Sequence, residues 1–485
     1  MTTQVIRACV PAGIRPPLPP ILPCPATVAA GIRGLAGIRA STGRLGFGSL
    51  VVRAAVGEQD GSRWRDLKRV DMATLGNLCV DIVLNVPILP PATREERRAY
   101  MELLSASPPD KKYWEAGGNC NLAFAAARMG LSVITLGFVG DEIYGNFLLD
   151  VLEEEGVDVV GLCEDSEAAK DSINYETLLC WVLIDPLQRH GFCSRADFSN
   201  EPAFSWLHKL SGPVETAIQQ SKILFCNGYA FDELLPDLIV SALFCAISAQ
   251  SAVFFDPGPR GRTLFNGTPE QRSALEQFLK LSDVLLFTSD EAESLTGIKN
   301  PILAGRELID KGVRVKWVVV KMGAKGSILI TKSSISCAPA FLVNVVDTVG
   351  CGDSYTAAMA YGFLHNMLPM NTLTLANAVG AATATGSGAG RNVATMAKVL
   401  ELLRRSNINE DYEFWSELID TDPAIEEISL LSTTHVNGCG GRFVHVPLQT
   451  VISQLISKFE SRHPNGAGCR ERDERVIEPT GVDLH

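Results

Sequence analysis

Chemistry concentrates in Asp347-Thr-Val-Gly-Cys-Gly-Asp353, which follows an apolar, strand-like run (341–346) and opens a small-residue helical segment, 354–363. Glycines at a strand-to-helix junction let backbone N–H groups converge on one point, and the start of a helix favours negative charge there. Such a nest suits a phosphoryl group in transfer. A carboxylate beside an anion site is badly placed unless it takes a proton from an attacking hydroxyl. Asp353 is therefore a candidate general base, with the amides of Gly350, Cys351 and Gly352 as the anion hole. The combination reads as phosphoryl transfer from a nucleotide to an alcohol. The plainer reading is a glycine loop that ends a strand.

Four further segments carry candidate groups. Gly76-Asn-Leu-Cys-Val-Asp81 ends the first apolar run with an aspartate, which alone is a turn residue or a ligand; a carboxylate has enough lone pairs for two neighbouring hydroxyls. Gly117-Gly118-Asn-Cys-Asn121 precedes a helix, with bare backbone at the glycines and Asn121 able both to donate and to accept. Thr288-Ser-Asp-Glu291 begins another helix, where an acid is also an ordinary N-terminal residue. Val320-Lys321-Met-Gly323-Ala-Lys-Gly326 lacks the Gly-Lys-Ser/Thr ending of a Walker loop, and Lys321 either reaches a phosphate or is a solvated strand-end lysine. Gly386-Ser-Gly388-Ala-Gly390 follows a helix rather than a strand, so it fails as a dinucleotide fingerprint, and an NAD-dependent oxidoreductase is set aside.

The elements expected to position these groups are short apolar runs at 72–78, 133–139, 222–226, 252–256, 283–288, 316–321 and 327–331, alternating with helix-period segments from about residue 70 to 400. That alternation predicts an α/β fold, a mostly parallel sheet covered by helices on both faces, with ligands at the carboxyl ends of the strands. Two inserts interrupt it, at 82–116 and 172–200. Beyond residue 400 the pattern stops. A helix over 401–420, another over 451–459 and a polar tail from 462 make 401–485 a C-terminal helical extension.

The motifs, in this order, resemble those of the phosphofructokinase-B (pfkB), or ribokinase-like, family of small-molecule kinases. Asp347–Asp353 is similar to its Asp-Thr-x-Gly-Ala-Gly-Asp signature with Cys351 in the Ala place, and Gly117-Gly118 with Asn121 resembles its first signature, one residue short. The resemblance implies a three-layer αβα sandwich with a small β lid formed by the two inserts. It also implies ATP and Mg2+, with a monovalent cation as a further candidate, and a monomer or a lid-paired homodimer. Asp81, Gly117, Gly118 and Asn121 would bind a sugar, polyol or nucleoside. Thr288, Glu291, Lys321, Gly323, Gly326, Thr348, Asn377 and Gly388 would bind the nucleotide, with Glu291 meeting the metal through water. Thr288 stands where the family has Asn, and Lys321 where it has Thr. These departures keep a second reading open, a scaffold that retains the fold, has lost useful catalysis and acts through protein partners.

The net charge of −12 argues against nucleic-acid binding through a basic face. The apolar stretch 238–255 is broken by serines and a glutamine and is expected to be a helix followed by a buried strand, not a membrane span. Seven scattered histidines give no zinc spacing. The thirteen cysteines read mainly as small core residues, with Cys120 and Cys351 either space-filling or redox-sensitive, the latter favoured as thiolate by a helix start. Residues 1–57 hold six Arg and no Asp, Glu or Lys, which predicts an organelle transit peptide ending at Ala54. A plastid address is favoured over a mitochondrial one, because the prolines at 11, 16, 17, 19 and 20 would spoil an amphipathic helix.

Overall fold

The computed structural model describes residues 68–91, 93–106, 109–162, 176–187, 189–199, 201–419, 428–433 and 443–461. The expected leader (1–54), the 435–441 glycine run and the polar tail from 462 lie outside them.

The main sheet has eleven strands: β1 (Val70–Leu75), β4 (Val133–Gly137), β5 (Asp158–Gly161), β8 (Ser221–Asn227), β9 (Ala252–Asp256), β10 (Val284–Thr288), β11 (Trp317–Lys321), β12 (Ser327–Ile330), β13 (Ile335–Ala338), β14 (Ile428–Ser432) and β15 (Phe443–Pro447). Their order across the sheet is β15-β14-β13-β12-β11-β10-β9-β8-β1-β4-β5. Only β12 runs antiparallel to its neighbours. Period-two alternation divides each strand between two cores: Met72, Ile223, Phe225 and Leu286 pack to one side, Ala73, Leu75, Leu224, Cys226, Leu285 and Phe287 to the other. Each face needs its own helical cover, and the three-layer αβα sandwich follows.

A second, four-stranded sheet makes the lid from β2 (Leu78–Asn85), β3 (Trp114–Gly118), β6 (Leu178–Ile184) and β7 (His190–Ser194), in the order β3-β2-β6-β7. Both expected inserts contribute to it, and the helix Arg94–Ser105 belongs to the first. The lid also corrects the expectation that Asp81 ends the first strand. Gly76, at φ +117°, turns the chain out of β1, and a Cβ there would stand 2.9 Å from that of Ala230. Asp81 thus sits in mid-β2, opposite Glu115 of β3 and Cys180 of β6.

Two further corrections concern the C-terminal half. The run 341–346 is not a strand. Pro339 withholds a ladder donor just after β13, only Phe341 is buried, and Leu342, Val345 and Val346 face solvent. The segment beyond 400 is not an appended set of helices. β14 and β15 extend the main sheet in parallel, and the expected single helix divides into Met396–Arg405 and Tyr412–Ile419, separated by Ser406 in the left-handed region. The helix Leu448–Glu460 buries Leu448, Val451, Ile452, Leu455 and Phe459 in the main core.

Candidate active site

Strand ends and one helix start converge. Asn227, Asp256, Thr288 and Lys321 stand at the carboxyl ends of β8, β9, β10 and β11, and Thr288 and Lys321 are cross-strand partners. The helix Cys351–Leu364 begins after Gly350, which is left-handed at φ +75°; a Cβ there would lie 2.9 Å from that of Ala389. Gly352 is exposed, so the turn offers bare backbone to a ligand.

Asp353 lies in the first turn of that helix. Its Oδ2 accepts from Asn121 Nδ2 at 3.2 Å, and the Asn121 Oδ1 accepts from the Gly390 N–H at 2.7 Å. Asn121 is therefore a bridge from the base to the 386–390 loop as well as a candidate hydroxyl ligand. Burial pushes the Asp353 carboxyl up to about 6; Asn121 and the Lys321 ammonium pull against that rise and the Asp256 charge adds to it. Asp81 rises further, to about 7, through burial and the charges of Asp353 and Glu115, against a hydrogen bond from the Cys79 thiol. Two carboxyls that sense each other across the lid cleft can hold one acceptor hydroxyl between them.

Gly117 makes room for Asp81, because a Cβ there would fall inside the carboxylate. Gly118, at φ +61°, brings the chain against the Asn77 carbonyl, where a Cβ would clash. Gly117 thus packs against the candidate ligand Asp81, and Gly118 against Asn77.

Lys321 is not a solvated strand-end lysine. Its Nζ lies 2.6 Å from Asp256 Oδ2, its side chain is 14% exposed, and it stands 3.8 Å from where a Cβ on Gly352 would be. Burial pulls its pKa down, but Asp256, Glu291 and Asp353 together raise it above the ordinary lysine value. Thr288 and Glu291 form a capping box: Thr288 Oγ1 accepts from Glu291 N at 3.3 Å, and Glu291 Oε2 accepts from Thr288 N at 2.7 Å. Burial and the Asp256 charge raise the Glu291 carboxyl, against the pull of Lys321, so this acid faces the cluster while also capping its helix.

Gly323 (φ +56°) and Gly326 (φ +110°) shape the turn after β11, and a Cβ on Gly326 would strike the Ala338 carbonyl. Gly388 (φ +73°) donates its N–H to Asp347 Oδ2 at 2.7 Å. Thr348 is exposed, and its carbonyl accepts from Cys351 N at 3.3 Å. Asn377 departs from expectation. Its Nδ2 donates to the Ala338 and Pro339 carbonyls and its Oδ1 accepts from Ser327 Oγ, so the side chain braces β12 and β13 and has no donor left for a base. Of the two readings of Cys351, the thiolate one is opposed: burial, then Asp347 and Asp353, push its thiol up to about 12.

Sequence reading missed Asp256, Asp347, Glu115, Arg391 and His190. Asp256 had a usable signal, a carboxylate ending a buried strand. Asp347 accepts from Val349 N and Gly388 N, and His190 Nε2 of the lid lies 2.7 Å from its Oδ1. Burial alone would raise the Asp347 carboxyl, but that contact, with the bonds from Val349 and Gly388, holds it below its ordinary value. Arg391 grips Glu115 of β3 with Nε and Nη2, both at 3.0 Å.

The arrangement fits a nucleotide triphosphate: open backbone at the helix start and a buried ammonium beside it. For Mg2+, Asp256 and Glu291 are the acids at hand, both already engaged. Among the described residues no group of three or more His, Cys, Asp or Glu is placed to hold a metal ion. The donor set fits a metal that arrives on the phosphates and meets these carboxylates through water.

Residues 77–396 match the pfkB family carbohydrate kinase profile. The chain is 26% identical over 311 residues to 5-dehydro-2-deoxygluconokinase 2 of Bacillus cereus, covering 61% of this chain and 84% of that protein. It is 26% identical over 307 residues to fructokinase-1 of Zea mays, covering 60% and 88%. Among solved structures, Arabidopsis thaliana ribokinase with ribose and ATP superposes with a TM-score of 0.51 at 19% identity, over 69% of this chain and 98% of that one. Fructokinase with bound ATP from Xylella fastidiosa does so with 0.51 at 22%, over 70% and 99%. The fold of those neighbours is the fold described above, and the profile spans the lid, the strand ends and the nest: the chain belongs to the pfkB family of carbohydrate kinases.

Proposed function

We propose that the protein moves the γ-phosphoryl group of ATP, with Mg2+, to a hydroxyl of a small neutral sugar, polyol or nucleoside. The observation that carries this reading is the placement of Asp353, half-buried in the first turn of the helix that opens at the 350–352 backbone, bonded by Asn121 and within electrostatic reach of Lys321 and Asp81. Asp81 orients the acceptor, Asp353 takes its proton, and the 350–352 amides hold the phosphoryl group in transfer. Mg2+ would neutralise phosphate charge, held through water by Glu291 and Asp256.

A neutral acceptor is favoured because the half-buried Arg260 is committed to two carboxylates, while Arg98 and Arg195 of the lid region sit in exposed pairs. Arg195 meets Glu176, Arg98 meets Glu102, and Arg260 is shared by Asp232 and Asp197. By their names the relatives above act on fructose, ribose and a gluconate derivative, the last a sugar acid, which supports the sugar class and leaves the individual acceptor and its charge open.

The test is ATP consumption by the purified protein with Mg2+ across sugars, polyols, nucleosides and sugar phosphates. Turnover with a neutral hydroxyl compound is expected. Turnover with sugar phosphates alone would overturn the neutral-acceptor reading, and silence across the panel the kinase role itself. Residues 1–54 are proposed as a plastid leader, on composition. A fluorescent fusion of that segment should enter plastids, and a cytosolic or mitochondrial signal would refute the address.

A further inference from the structure

We propose that Lys321 is a tethered phosphate-binding cation, its ammonium holding the terminal phosphates of the nucleotide over the 350–352 turn and giving the protein substantial affinity for ATP without Mg2+. The inference rests on the kinase reading and deepens it. The family resemblance puts a threonine in this place, and a hydroxyl donates one neutral hydrogen bond. An ammonium brings a full charge and three donors.

Three observations separate this role from that of a structural ion pair. A lysine head buried at the end of a strand is costly unless the surroundings stabilise its charge. Lys321 has one contacting carboxylate, Asp256 at 2.6 Å, yet Glu291 and Asp353 also hold its charge in place. Asp256 alone would satisfy a bridge. The ammonium also stands 3.8 Å from the absent side chain of Gly352, on the face of the turn left open for a ligand. A phosphate cradled by those amides would fall within reach of Nζ. Finally, Asp256, Glu291 and Asp353 all act electrostatically on this position, and the Lys321 ammonium is the cation that offsets them toward an incoming phosphate.

The experiment is calorimetric titration of the full chain with ATP in EDTA, then with Mg2+, for the parent, Lys321→Thr and Lys321→Met, with adenosine as the uncharged probe. Mg-free ATP affinity is expected to fall at least ~10-fold in both variants while adenosine affinity stays within about twofold, the pattern of a lost charge-assisted contact to phosphate. Added Mg2+ should narrow the gap. Unchanged Mg-free affinity in folded variants would overturn the proposal and leave Lys321 a partner of Asp256 only. Because Lys321→Met strands Asp256, the double variant Lys321→Met with Asp256→Asn removes both charges and guards against misfolding. It too should lose Mg-free ATP affinity, and parental affinity in it would overturn the proposal. A parent that binds no nucleotide with or without Mg2+ would instead remove the kinase reading beneath it.

Discussion

Replacing Asp353 with Asn should remove activity and make the protein more stable. The carboxyl stands at about 6 in the folded protein against an ordinary 3.8, chiefly because it is buried. Each tenfold change in proton affinity corresponds to about 1.4 kcal/mol between the protonation states, so the ionised form costs up to about 3 kcal/mol at neutral pH; residual solvent access brings this to ~1–3 kcal/mol. The sign follows from proton binding. Between 3.8 and about 6 the folded state holds a proton that the unfolded chain has released, so stability falls as pH rises through that window and stays lower above it. An amide has nothing to release, and its oxygen can still accept from Asn121. Urea denaturation from pH 4 to 8 should therefore show the variant gaining on the parent as pH rises, with the gap levelling above 6. Turnover should drop at least ~10²-fold, and the acid limb of the parent's rate profile, set by ionisation of the base, should vanish. A variant that loses activity and stability together would show that Asp353 is structural. One with near-normal turnover would show that it is not the base.

Gly117→Ala should drive the Asp81 carboxylate out of its place, raising the acceptor KM by about an order of magnitude with ATP affinity unchanged; equal losses for both ligands would refute the pocket assignment. Arg391→Met strands Glu115, whose side chain is 9% exposed, and should cost about 3 kcal/mol by urea denaturation; adding Glu115→Gln should recover part of the loss, and a cost below ~1 kcal/mol would reduce the pair to a surface bridge. His190→Leu removes the lid's charge contact with Asp347 and should speed amide hydrogen exchange across β6 and β7 while the main sheet keeps its protection; unchanged exchange would show that the contact does not hold the lid.

The main sheet was legible because each strand repeats locally. Met72, Ala73 and Leu75 already sort themselves to two faces by alternation, and so do the residues of β8 and β10. The nest was legible for a similar reason, since Gly350, Gly352 and Asp353 are neighbours in sequence. What escaped depends on distant partners. Lys321 and Asp256 are separated by 65 residues, Glu115 and Arg391 by 276, and no local pattern marks either pair. The bend at Gly76 was hidden because β1 and β2 are both apolar, so two strands of different sheets read as one run. The 341–346 segment misled in the opposite way. Its valines and leucine look like a strand, yet Leu342, Val345 and Val346 face solvent after a proline has ended the ladder. Asn377 shows the limit of carrying a role by position: the helix is where the pattern implies, and its amide is consumed by two carbonyls and a serine.

Cys351 and Asp353 together say how the nest works electrostatically. Both sit in the first turn of one helix, where a dipole alone would favour their charged forms. Both are pushed the other way, the thiol to about 12 and the carboxyl to about 6, with burial as the leading cause in each. Burial thus leads at both side chains, while the field of the helix start acts on what lies beyond them. That field remains directed at whatever enters the turn from the open side at Gly352. A phosphoryl group arriving there meets the exposed Gly352 backbone and the Lys321 ammonium, while the adjacent base sits near 6, ionised at neutral pH yet basic enough to take a hydroxyl proton as the phosphoryl bond forms. Had the dipole won, Asp353 would be held at roughly 3 or below, a weaker base competing with the phosphate for the same amides. Burial keeps the proton acceptor and the anion hole side by side without letting one satisfy the other.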